Sequence, residues 1–202
     1  MAPKTKFIKE EMVAAAVAVV RKQGYEALTA QSIARELGVS TRPIFTCFDT
    51  MEEVRKAVCE AAVAVYEAYA QKGLEEKIPF YGLGMQYIRF AQEEPELYRL
   101  LFLSRTPGAL NAMQHLQALA RPTLMQTYRL SSREADRYFR DMWLVVHSLS
   151  VLIVTGDCPY SDREIGKILT GFSVSLCKAM KEIPGFADGH FDRDAVFQSM
   201  LE

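Results

Sequence analysis

Three times along this 202-residue chain a hydroxyl residue is followed three positions later by a glutamate at the head of a periodic apolar stretch: Thr50 and Glu53, Ser131 and Glu134, Ser161 and Glu164. In such a capping box the hydroxyl accepts from one orphan N–H of a helix start and the carboxylate from another, so each pair announces a helix. Around these boxes apolar residues recur at intervals of three and four, beginning with Ile8, Met12, Ala15 and Val19 on one face of a first helix that should end near Gly24. Strand-like alternation bounded by turn residues is almost absent. Pro79, Pro95 and Pro107 suit first turns, where the N–H that proline lacks would have no partner. Pro122 is expected to kink or break its own segment. The spacing predicts helices over about 6–23, 30–37, 41–47, 51–72, 79–93, 95–104, 107–128, 132–155, 162–182 and 192–201. The expected fold class is all-α.

Half of the residues are apolar, enough at this length for a core without disulfides or a structural metal. Cys47, Cys59, Cys158 and Cys177 form no CxxC pair and His115, His147 and His190 do not cluster, so no metal and no cofactor are expected. The longest nearly unbroken apolar run, Trp143 to Val154, is interrupted by His147 and Ser148. It is shorter than the roughly 18 to 20 residues a bilayer span needs, so no membrane association is expected. The N-terminus has no convincing cleavage site, which points to a cytoplasmic protein. Basic and acidic residues nearly balance, at 24 and 25, yet Lys4, Lys6, Lys9, Arg21 and Lys22 against Glu10 and Glu11 leave residues 1–22 at +3. No internal repeat or long linker is visible, so the only boundary expected lies near the start of the fourth helix, giving residues 1–50 and 51–202.

Residues 28–54 are the most informative stretch. Thr29 is a good N-cap for a short helix with Ile33, Ala34 and Leu37 inward, and Gly38 suits a left-handed C-terminus with Val39 turning in behind it. Ser40 is expected to cap a second short helix that buries Ile44 and Phe48. Two short helices joined by a glycine turn form a helix-turn-helix, whose second helix can enter a major groove about 12 Å wide. Thr41, Arg42 and Pro43 would occupy its first turn. Arg42 can pair with the O6 and N7 of a guanine, and Thr41 and Pro43 can touch a thymine methyl. Thr29, Ser40, Thr46 and the amides at the helix starts near Ala30 and Met51 would hold phosphates. Geometry alone leaves a purely structural helix pair equally open.

The string Thr29, Ile33, Ala34, Leu37, Gly38, Val39, Ser40, Ile44, Phe45, Phe48, Glu52 and, one position late, Val54 resembles the DNA-binding region of the TetR family of bacterial transcriptional regulators. The resemblance implies an N-terminal three-helix helix-turn-helix DNA-binding domain fused to a larger C-terminal helical bundle for ligand binding and dimerisation. Two departures count: Phe45 stands where the family has a phosphate-binding tyrosine, and Met51 where it has a lysine. The more loosely similar stretches Ala91–Leu103 and Trp143 to Ser148 resemble the subset with a Trp…His-Gly signature, with Ser148 in the glycine's place.

Regulators of this kind hold a small molecule in the bundle, and an apolar pocket with a few polar anchors is the usual site. The candidates are Tyr66, Tyr87, Tyr98, Phe102, Tyr128, Phe139, Trp143 and His147, with Tyr69, Phe90, Met125 and Met142 near them in the sequence. The same aromatic spacing also suits a plain core. The helices at 132–155 and 162–182 are the expected homodimer pair, through Ile165, Ile168, Leu169, Phe172, Leu176 and Ala179 and the small Gly166, Thr170, Gly171 and Ser173. The expected function is a ligand-responsive transcriptional repressor that binds double-stranded DNA at a pseudo-palindromic operator as a homodimer, with a small apolar or aromatic effector. No nucleophile–base pair, carboxylate dyad or phosphate loop suggests an enzyme. The competing readings are a small all-α carrier or enzyme with a vestigial helix-turn-helix, and a redox sensor using Cys47.

Overall fold

The computed structural model describes residues 8–104 and 107–201, with side chains outside 105–112. All elements among these residues are helical: α1 (Lys9–Gln23), α2 (Ala30–Leu37), α3 (Ile44–Cys47), α4 (Met51–Leu74), α5 (Pro79–Glu93), α6 (Pro95–Tyr98), α7 (Pro107–Tyr128), α8 (Ser132–Thr155), α9 (Asp162–Glu182) and α10 (Arg193–Ser199). A 3-10 turn at Tyr25–Ala27 links α1 to α2, and α6 runs on into a π-helical turn at Arg99–Leu103. The all-α expectation holds, and most helix ends fall within a residue or two of their sequence signals.

Those signals act as the physics requires. Ser131 Oγ accepts from the N–H of Glu134 at 3.3 Å while the Glu134 carboxylate accepts from the N–H of Ser131 at 2.7 Å. Ser161 and Glu164 repeat the exchange at 3.4 and 2.9 Å, and these bonds hold the Glu164 carboxyl below its usual range. At α4 the Glu53 carboxylate reaches one residue further back, to the N–H of Asp49 at 2.9 Å. Two starts and one helix interior differ from expectation. Ile8 is extended and exposed, its N–H donating to Glu11 at 3.0 Å, so α1 begins at Lys9 and Ile8 is not part of the buried face. The second short helix begins at Ile44 rather than Thr41, and Pro43, not Ser40, stands at its N-cap. A proline disfavours helical geometry in the residue before it, which keeps Arg42 out of the helix. Finally, α7 passes through Pro122 without a break.

The chain packs as two compact units. The first comprises the described residues up to Tyr69 together with Phe90–Met113. Met12, Ala15, Ala16, Val19 and Val20 of α1 form its floor, with Leu28, Ile33, Ala34, Ile44 and Phe48 buried over them. Arg21 donates twice to the Glu94 carboxylate, at 2.8 and 2.7 Å, tying the end of α1 to the head of α6. Tyr66, Phe90, Tyr98 and Phe102 form an aromatic cluster with ring centroids 5.1 to 6.5 Å apart.

The second unit comprises Ala70–Arg89 and Gln114–Glu202. Its α4–α5 connection depends on two glycines that touch: a Cβ on Gly73 would lie 2.6 Å from Leu83 Cα, and one on Gly82 would collide with the Gly73 carbonyl oxygen. Arg121 of α7 holds Asp136 of α8 through bonds of 2.8 and 2.6 Å, with Gln117 adding a third at 3.0 Å. α8 needs one amendment to the sequence reading. Its 24 residues are long and apolar enough to cross a membrane by length and composition. However, Arg133, Glu134, Asp136, Arg137, Arg140 and Asp141 crowd its first half, while Ala135, Tyr138, Phe139, Met142, Val146, Leu149, Ser150 and Val154 are buried inside the unit. That is the pattern of an amphipathic core helix.

Candidate functional site

The first helix of the pair and the turn after it are assembled as the sequence implies, whereas the second is shorter. Thr29 takes an extended conformation before α2 and its Oγ1 accepts from the N–H of Ser32 at 3.1 Å. Ser32, itself buried, returns a bond to the N–H of Thr29 at 2.9 Å and donates to the Ala27 carbonyl at 2.7 Å. Gly38 ends α2 in the left-handed region, at φ 68°, and the N–H of Val39 closes back on Ala34 at 2.9 Å. Ile44 and Phe48 then pull α3 onto the core, because both are almost completely buried.

With those two side chains inward, the others are presented outward. Ser40, Arg42, Phe45 and Thr46 are exposed, Phe45 by 49% of its surface, while Thr41, Pro43 and Met51 are half-buried. Phe45 is thus an exposed phenyl ring on α3, and the exposed Arg42 lies just before that helix. Two hydroxyls expected to hold phosphates are engaged locally. Thr29 spends its oxygen on the cap, and Thr46 donates to the Arg42 carbonyl at 3.1 Å. Of the N-terminal cations, Arg21 is held by Glu94 and Lys22 by Glu36, and Lys9 lies over the Phe48 ring at 4.9 Å. Lys4 and Lys6 lie outside the described residues.

The second candidate site is a cavity of about 260 Å³ within the second unit. Tyr87, Tyr128, Phe139 and Trp143 line it, as the sequence suggested, joined by Phe80, Leu83, Gly84, Leu116, Met142, Val146, Leu169, Thr170 and Ser173. Ile78 and Val174, both more than half exposed, complete the wall with Tyr81. Tyr81 lies close over α9: a Cβ on Gly166 would come 2.5 Å from the tyrosine oxygen, so the side chain would have to shift.

His147 stands one layer back. Its ring stacks on the Trp143 indole with centroids 4.6 Å apart and planes 13° from parallel, and its Nδ1 shares a proton with the Tyr87 hydroxyl at 3.1 Å. Burial pushes its pKa below the ordinary histidine value of 6.5, so it is neutral at physiological pH. Behind the wall residue Ser173, the Tyr138 hydroxyl meets Ser173 Oγ at 2.5 Å, and burial carries the Tyr138 phenol far above its usual range. The Trp143 Nε1–H is buried and has no acceptor. The remaining candidates, Tyr66, Tyr98 and Phe102, belong to the aromatic cluster of the first unit, with Phe90 at its centre. Tyr69 lies beside that cluster and donates to Glu93 at 2.6 Å; burial and this carboxylate raise its pKa to about 12. The aromatic side chains read from sequence as one pocket therefore fall into two groups. Of the small residues, Gly84 lies on the wall of the second, whereas Gly166, read from sequence as an interface residue, sits under Tyr81.

Residues 12–58 match the model of the bacterial regulatory proteins of the tetR family, covering most of α1, all of α2 and α3, and the head of α4. No curated protein matches the sequence. Among solved structures, a TetR-family member from Streptomyces coelicolor superposes with a TM-score of 0.61 at 18% identity, covering 81% of this chain and 96% of that one. The multidrug binding protein EbrR, complexed with imidazole, gives 0.57 at 20% identity, covering 81% and 88%. A TetR variant from Acinetobacter baumannii AYE, in complex with minocycline, gives 0.57 at 15% identity, covering 87% and 97%.

Proposed function

We propose that this chain, whose N-terminal domain is of the tetR family and whose fold is that of TetR-type regulators, is a cytoplasmic, ligand-responsive transcriptional repressor that binds a pseudo-palindromic operator as a homodimer. Residues 1–50 read the DNA, and residues 51–202 bind the effector and pair the subunits. The observation that carries the reading is the exposed turn at Arg42, Phe45 and Thr46, held against a buried Ile44 and Phe48. A guanidinium so placed reaches the edge of one guanine, with roughly 1–3 kcal/mol of discrimination. One such helix reads only three or four bases, whereas two related by a dyad read half-sites about 34 Å apart.

Exposed apolar side chains support the pairing. Leu144 and Leu152 of α8 and Phe172 of α9 are 53%, 36% and 55% exposed. The expected stripe divides accordingly: Ile165 and Leu169 are buried in their own unit, Ile168, Leu176 and Ala179 are half-buried, and Phe172 with Gly171 faces outward. The cavity supports an effector, as do the neighbours EbrR and TetR, whose structures contain imidazole and minocycline. Induction requires only that the effector bind the DNA-incompatible conformation more tightly, with a typical coupling of ~1–3 kcal/mol.

The test is a mobility shift on DNA flanking the protein's own gene, with single-base substitutions across each half-site. Arg42→Ala should bring the affinities of matched and mismatched sites together by about tenfold, the equivalent of ~1.4 kcal/mol. Unchanged discrimination would remove Arg42 as a base reader, and no retarded band with any flanking sequence would remove the reading itself.

A further inference from the structure

The cavity of the second unit is walled in two ways. Leu83, Tyr87, Phe139, Met142 and Leu169 line it and are buried, whereas Ile78, Tyr81 and Val174 line it and are exposed. A side chain that borders both cavity and water is a wall one residue thick, so these three mark the opening. Ile78 and Val174 are β-branched and stiff at χ1, so they do not move aside readily. Tyr81 differs. It is 38% exposed, stands in the first turn of α5, and carries a flat ring that two side-chain torsions can turn out into solvent.

Across the opening, Gly166, Thr170 and Val174 follow one another at four-residue intervals along one face of α9. Tyr81 rests at the glycine end of that row, where a methyl group on Gly166 would lie 2.5 Å from its oxygen. No hydrogen bond ties it there. The Tyr87 hydroxyl is bonded to His147 and the Tyr138 hydroxyl to Ser173, but the Tyr81 hydroxyl bonds none of the described residues. Turning Tyr81 away therefore costs only van der Waals contact, part of it over a residue with no side chain.

We propose that the Tyr81 side chain is the gate of this cavity, seated on Gly166 when shut and swung into solvent when a ligand passes between Ile78 and Val174. The proposal rests on the reading of the cavity as the effector site and adds how that site is entered. A gate differs from an ordinary wall residue in what its removal does. Losing a wall contact speeds release and weakens binding, whereas losing a gate lowers one barrier that is crossed in both directions.

Stopped-flow mixing of the full-length protein with the neutral dye N-phenyl-1-naphthylamine, whose emission rises in apolar surroundings, reads both rates. Tyr81→Ala should raise association and dissociation alike, each by about tenfold, as a lowered barrier requires. The dissociation constant should stay within about threefold of the native value, because the two rates move together. Gly166→Ala, whose methyl group pushes the phenol off its seat, should also raise both rates. Faster dissociation alone in Tyr81→Ala makes Tyr81 a wall contact and overturns the gate. Native rates in either folded variant, or no binding of the dye to the native protein, overturn it too. If Gly166→Ala melts early, Tyr81→Ala, at a partly exposed position, decides alone.

Adding the dye to a protein–DNA complex keeps this separate from the function proposed above. Dye that enters with the expected kinetics but leaves the complex intact sinks the regulatory reading and spares the gate. Dye that releases the DNA while Tyr81→Ala keeps native rates does the reverse.

Discussion

Phe45 shows how one atom can matter at the level of a single residue. Its ring is about half exposed, in the place where the resemblance to the TetR family puts a phosphate-binding tyrosine. If this surface lies on DNA, Phe45→Tyr adds a hydroxyl at no steric cost, and one hydrogen bond to a phosphate should tighten all sequences several-fold, by about 1 kcal/mol. Equal affinities of the two proteins in a mobility shift would show that the ring does not face the backbone. His147 gives a second residue-level prediction. Burial lowers its folded pKa below 6.5, so the unfolded chain binds the proton more readily. Stability is therefore intact above the unfolded pKa and falls as the solution is acidified through about 6.5 and below. Urea melts at about pH 7.5 and 5.5 should show that loss, and His147→Gln should reduce it. A loss of the same size in the variant would assign the acid sensitivity elsewhere. Neither feature was fully legible in the sequence: Phe45 was visible as a departure, but the stack of His147 on Trp143 joins residues whose side chains a helical repeat only places on neighbouring positions of one face.

Among the elements, helix ends were the most readable feature because they depend on local chemistry. Capping boxes, first-turn prolines and Gly38 act within four residues of themselves, and α2, α5, α7, α8 and α9 have the limits these signals gave them. The second short helix was misjudged for an equally local reason, since Pro43 restrains Arg42. The α4–α5 crossing was not readable at all. Nothing in the string identifies Gly73 and Gly82 as partners; their requirement is set by a backbone nine residues away in sequence and in contact in space. The two kinds of glycine make opposite predictions. Gly82→Ala drives a methyl group into the Gly73 carbonyl and the Glu76 side chain and should cost about 1–3 kcal/mol in denaturant melts. Gly171→Ala meets nothing within 4 Å on its helix and should add up to ~1 kcal/mol of helix stability to a lone subunit. A neutral Gly82→Ala would mean that the crossing is looser than this geometry.

For the molecule as a whole, the all-α architecture and its N-terminal helix-turn-helix were legible, because periodicity and the Thr29–Val54 string are one-dimensional signals. The sorting of aromatic residues between two units was not, since Tyr66 and Tyr87 sit in similar helical patterns and differ only in what packs around them. Dimerisation belongs to this scale too. Phe172→Glu and Leu144→Glu place charges on surfaces already exposed, so each should leave the folded subunit intact by circular dichroism. Sedimentation should then report a monomer and operator binding should fall by far more than the single Arg42→Ala change produces, because one half-site is lost altogether. A dimer that survives both changes would move the interface off α8 and α9.

Trp143 is the only tryptophan in the chain, and it stands in the cavity wall with an imidazole stacked on its far side. Indole emission from this protein accordingly comes from a single place. Any compound that enters the pocket alters the brightness or colour of that light, so the molecule brings its own optical gauge of occupancy, readable in unlabelled protein across a whole chemical library.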